Sequence, residues 1–167
     1  MSSKRLIAVG AGLIVLGSVA AASAKPNQEF LTDAIQGNLA EISRSQLAQK
    51  NTGSDGVRSF GQMLVQDHSA ANEKATSLAQ TQGVTPPTEP KPEAKQDYDR
   101  LSELNGQAFD EKFPNHMVID HKKDIKEFEK QAKGSDDVAS FAKDTLPTLK
   151  KHLQTAQSLE GGKSAQK

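Results

Sequence analysis

Apolar residues recur at spacings of three and four along four long stretches of this chain, and no stretch alternates with period two. Such a pattern puts one apolar stripe on each of four helices and predicts no sheet. The first stretch, about Asn27 to Lys50, carries Phe30, Leu31, Ala34, Ile35, Leu39 and Ile42. Asn51-Thr52-Gly53 closes it, with the glycine expected in the left-handed conformation that follows many helices. The second starts at a cap, Ser54 or Asp55, and runs to about Gln82, closed by Gly83. Its stripe is Val57, Phe60, Leu64, His68, Ala71, Ala75 and Leu78.

The third long helix is expected from about Gln107 to Lys133, with Phe109, Phe113, Met117, His121, Ile125, Phe128 and Ala132 on one face. Pro114 predicts either a regular helix starting near Asp110 or a kink, because proline lacks the donor an interior turn needs. The fourth is expected to start at a Ser135 cap and to stop at Gly161-Gly162. Asp136 and Asp137 suit its first turn. Its stripe is Val138, Phe141, Thr145, Leu149, His152, Ala156 and Leu159, and Pro147 falls on the opposite, solvent side.

Between the second and third long helices lies a strap with Pro86, Pro87, Pro90 and Pro92, then a short helix at about Pro92 to Asn105. Tight turns at 51–54 and 133–135 make two antiparallel hairpins, and the strap carries the chain from one to the other. The expected architecture is all-α, a four-helix bundle with one long crossover, as in ferritin-like folds.

The first 24 residues read differently. Lys4 and Arg5 precede an apolar run from Leu6 to Ala20, and Ala22-Ser23-Ala24 forms an A-x-A cleavage signal. The expectation is a signal peptide over 1–24, a helical domain over 25–160 and a short flexible tail over 161–167. An export route to the periplasm follows, with outer-membrane association as a variant. The run is shorter than the ~20 residues a spanning helix needs, and no later stretch could cross a bilayer. Without Lys4 and Arg5 the mature part keeps 19 of the 21 basic residues against 21 acidic ones, a formal charge of −2. That balance excludes the basic face nucleic acid demands. The chain has no cysteine, so disulfides, thiolate nucleophiles and thiolate metal sites are excluded.

Three of the four histidines fall inside apolar stripes: His68, His121 and His152, each on a different helix. A buried imidazole left without a partner costs about 1–3 kcal/mol, so three of them converging suggest a site. His116 falls off its stripe and should lie outside. Glu41 flanks the first stripe beside Ala34, Asn38 and Ser45. Glu41 and His68 are symmetric about the first turn, as His121 and His152 are about the second. Antiparallel pairing then puts each pair at one level to within about one turn, ~5 Å. Glu41, His68, His121 and His152 are the candidate metal ligands, with Asp124 as an accessory. Asp67 and Asp120 precede histidines in sequence and point about 100° away from them, which suits outer support or the surface. Three imidazoles and a carboxylate fit Fe, Zn, Cu, Mn or Ni. Non-covalent haem is a second cofactor reading, since C-x-x-C-H is absent. The competing reading is a metal-free His–Glu–Asn hydrogen-bond network.

Several segments together resemble one bacterial family. They are Phe30-Leu31-x-x-Ala34 with Ala40-Glu41, Met63-x3-Asp67-His68, Phe109-Asp110, Met117-Val118-x-Asp120-His121-x-x-Asp124 and Thr145-Leu146-Pro147-Thr148-Leu149-Lys150-x-His152. The family is domain-of-unknown-function family 4142, exported proteins often labelled outer membrane proteins. The resemblance spans about residues 28–160 and implies export and a ferritin-like fold, with no assigned activity. Paired Glu-x-x-His motifs of di-iron bundles are absent here: Val65, Val118 and Leu149 stand three before the histidines. The functional expectation is metal binding, storage or stress protection rather than turnover. The alternative is a non-catalytic structural protein of the envelope with an envelope protein partner.

Overall fold

The computed structural model describes residues 24–161, and the expected signal segment lies almost wholly outside them. The described residues are all-helical: α1 (Asn27–Asn51), α2 (Asp55–Thr81), α3 (Pro92–Ser102), α4 (Gln107–Gln131) and α5 (Asp137–Gly161), with no strand among them. Helices α1 and α2 pair along their length, as do α4 and α5, and the two hairpins pack through α2 with α5 and α1 with α4. No helix among the described residues is long and apolar enough to cross a membrane.

The α1–α2 hairpin is tight because Gly61 has no side chain. A Cβ there would stand 2.6 Å from the Ala48 Cβ and 2.9 Å from the Ser45 carbonyl oxygen. Two apolar clusters fill the interior. One holds Phe30, Ile35, Phe128 and Phe141, and the other Phe60, Leu64, Phe109 and Phe113. The histidines sit in stripes that run from one cluster to the other.

Two helix ends differ from expectation. The α1 helix stops at Thr52, which is extended (φ −80°, ψ 145°), and Gly53 is not left-handed. The turn is held from outside instead. Asp110 accepts from the Thr52 hydroxyl and from the Gly53 amide at 3.3 Å, and the Gly106 amide donates to the Asn51 carbonyl at 2.7 Å. Gly106 itself takes positive φ (+53°), as does Gly83 (+70°), where α2 was expected to close. Helix α4 begins at Gln107, as expected, and Pro114 lies inside it, fully buried, rather than in its first turn. At α5 it is Asp136, not Ser135, that caps: its carboxylate accepts from the Ala139 amide at 2.8 Å. Ser54 caps α2 as expected, and Pro147 is exposed.

Candidate metal centre

Helical periodicity aims His68 from α2, His121 from α4 and His152 from α5 into the interior, where they are 4%, 0% and 1% exposed. Their ring centroids are 5.2–5.6 Å apart. One nitrogen from each ring lies within 4.8 Å of the other two. His116 stays outside and faces Asp120 at 3.2 Å.

Each imidazole is fixed by a different acceptor. The His68 Nδ1 meets the Asn38 Oδ1 at 2.9 Å. The His121 Nδ1 donates to the Met117 carbonyl, one turn back on the same helix, at 2.9 Å. The His152 Nε2 donates to Asp67 at 2.9 Å. A carbonyl and a carboxylate can only accept, so these ring nitrogens carry the protons. That leaves His68 Nε2, His121 Nε2 and His152 Nδ1 as lone-pair donors turned toward one volume. Support of this kind, from a carboxylate or carbonyl behind each ring, is what orients metal-binding histidines.

The lone pairs meet no protein donor. His68 Nε2 is buried without a hydrogen-bond partner. His121 Nε2 and His152 Nδ1 face each other across 3.2 Å, a contact that needs a proton or a cation between them. Two nitrogens on one tetrahedral ion at about 2.05 Å would stand roughly 3.3 Å apart. Burial, then the neighbouring His121 and His152, holds the His68 pKa well below 6.5, with the Arg44 charge adding to it. Burial also lowers His152, against the opposing pull of Asp67. The site therefore favours neutral His68 and His152 rings, the state in which imidazole ligates metal.

Glu41 is buried at 2% exposure but is not one of the side chains that close on this volume. Its Oε1 accepts from Arg44 at 3.1 Å, and Arg44 also donates to Asp120 at 2.7 Å. On α1 it is Asn38 that stands level with His68. Glu41 is three residues further along, about 4.5 Å on the helix axis. The Glu41 Oε2 nevertheless has no partner, and Glu41 and His68 line the same cavity. Asp124 lines it too, outside the histidine set. Burial and the adjacent Glu41 and Asp120 carboxylates raise its pKa to about 7. For Asp120, burial opposes ionisation, yet the His116 hydrogen bond and the Arg44 charge outweigh it and hold it at about 2.

Asp67 and Asp120 take the outer roles expected of them. Sequence reasoning missed Asp110, whose buried carboxylate ties the first turn to α4, and Arg44, 4% exposed, which lies outside the apolar stripe of α1. Asp110 carried one usable signal, an acid in the first turn of α4 next to a stripe phenylalanine.

No curated protein matches the chain. Among solved structures, the chain is similar to "Crystal structure of DUF305 fragment from Deinococcus radiodurans". The two are 15% identical with a TM-score of 0.73, covering 84% of this chain and 99% of that one, a likeness of fold. Residues 16–159 match the family described as "Domain of unknown function (DUF4142)", so the chain belongs to that family.

Proposed function

We propose that this protein is an exported, periplasmic ferritin-like four-helix bundle that binds a transition-metal ion through His68, His121 and His152, with Glu41 as the adjoining carboxylate ligand. Asp124 is its accessory. The role is binding, storage or stress protection in the envelope, not turnover. One observation carries this reading: His121 Nε2 and His152 Nδ1 are 3.2 Å apart, and each has its other nitrogen committed to an acceptor. A proton shared there would put positive charge between buried rings, where charge is costly. A metal ion satisfies both lone pairs and the free His68 Nε2 at once.

Three imidazole nitrogens with one carboxylate suit Zn, Cu, Ni or Fe, and Mn least. The Glu41 carboxylate would join through its unpartnered Oε2 while Oε1 stays with Arg44. Elemental analysis of protein produced without a histidine tag tests the reading. A stoichiometric transition metal is expected, lost in His121→Gln. The metal-free alternative, an envelope scaffold with a polar core, draws on the His68–Asn38 bond. It predicts no stoichiometric metal and equal stability with and without added ions.

A further inference from the structure

Helices α1 and α4 are parted by a cavity of about 440 Å³ that runs from the surface to His68, flanked at one end by the start of α3. The wall that α1 gives it includes three small residues, Ala34, Gly37 and Ala40. A Cβ on Gly37 would meet nothing within 4 Å, so the space is open at mid-helix. Acids outnumber bases along it. Seven carboxylates line the cavity against Lys25, Lys91, Lys123 and Arg44. Two of those lysines are spent on Asp33, Lys91 at 2.5 Å and Lys25 also hydrogen-bonded to it, and Arg44 is spent on Glu41 and Asp120. Four side-chain atoms in its buried lining lack any partner: the acceptors Glu41 Oε2 and His68 Nε2, on residues 2% and 4% exposed, and the donors Asn38 Nδ2 and Arg44 Nε.

We propose that this acid-lined groove is the route by which a hydrated divalent cation reaches the three histidines, with Glu41 as the first protein ligand it meets inside. The proposal rests on the metal-binding reading above. A cleft of one charge sign with low-dielectric walls concentrates counter-ions and raises association rates. A carboxylate at its inner end can replace one bound water while the imidazoles replace the rest. On α2, Asp67 holds the His152 ring by a 2.9 Å hydrogen bond to its Nε2. The small residues of α1 leave the width that a cation still carrying water needs.

The test is stopped-flow binding of Co²⁺ alone, followed by its visible absorbance, in the full-length mature protein. Gly37→Phe fills the open space without touching a ligand. Its expected signature is a fall of roughly tenfold or more in both association and dissociation rates, with the equilibrium affinity within about threefold of wild type. The double variant Glu93→Gln/Glu127→Gln keeps the groove open and removes two surface charges. It should lower the association rate roughly threefold at low ionic strength, the difference vanishing in ~0.5 M salt. Unslowed binding in both variants would overturn the route while leaving the metal site standing. A wild type that gives no Co²⁺ spectrum would overturn the metal reading and the route with it.

Discussion

His121 Nε2 and His152 Nδ1 face each other at 3.2 Å, each ring anchored from behind by a group that can only accept a hydrogen bond. Neither nitrogen can donate to the other while the rings are neutral. The pair is an arrangement that a cation completes and an empty core leaves frustrated.

Glutamine at 68, 121 or 152 keeps hydrogen-bonding capacity and approximate volume but is a poor metal ligand. Wild type should therefore gain melting temperature on adding metal, by about 2.7 kcal/mol of stabilisation at a hundredfold excess over Kd. Each single variant should lose that gain, and His116→Gln should keep it. Thermal scans with and without Zn²⁺ or Cu²⁺ decide it. Identical shifts in wild type and His121→Gln would remove the case for a metal site.

Metal-stripped protein should lose stability as the solution turns mildly acidic. His68 and His152 titrate below 6.5 when folded, so below that pH the unfolded chain takes up protons that the native state refuses. Their contribution is complete above pH ~6.5 and disappears as pH falls toward the folded values, by up to about 1.4 kcal/mol per group per pH unit. Asp124, at about 7 against 3.8, works in the opposite sense: between those values the folded state holds the extra proton. Asp124→Asn should therefore steepen the acid loss, and His68→Gln should flatten it. Urea midpoints at pH 5, 6 and 7.5 measure both slopes.

Among the described residues Arg44 is the sole cation bonded to the buried Glu41, and it also holds Asp120. Removing one partner of a buried ion network leaves an uncompensated charge, at a cost of about 3–5 kcal/mol. Arg44→Met should cost that much at pH 7, and Arg44→Lys, which keeps the charge, should cost less. Chemical denaturation of the two variants is the check, and an equal loss in both would mean that charge is not what Arg44 supplies.

Two helical glycines, Gly61 and Gly37, should respond with opposite signs. Gly61→Ala drives a methyl into the Ala48 side chain and the Ser45 backbone, and an overpacked contact of that kind costs about 1–3 kcal/mol. Gly37→Ala meets open space and gains helix propensity, up to about 1 kcal/mol. Paired urea melts read both, and a stabilised Gly61→Ala would show that the α1–α2 hairpin has slack.

The amino-acid order alone determined the long helices and which histidines turn inward, because both follow from local periodicity. Apolar residues every three or four positions fix a buried face whatever the helix later packs against. His68, His121 and His152 were legible for that reason, as was the exposed side of α5 that carries Pro147. The partners of those histidines were decided only by tertiary structure. Whether Asn38 or Glu41 stands level with His68 depends on a slide of one helical turn between α1 and α2, and the close approach at Gly61 sets it. The same holds for Arg44 reaching Asp120, and for Asp110 tying the first turn to α4. Periodicity fixes how a helix is rotated about its own axis. It does not fix how far the helix slides along its neighbour, and that slide chooses which polar groups meet in the core.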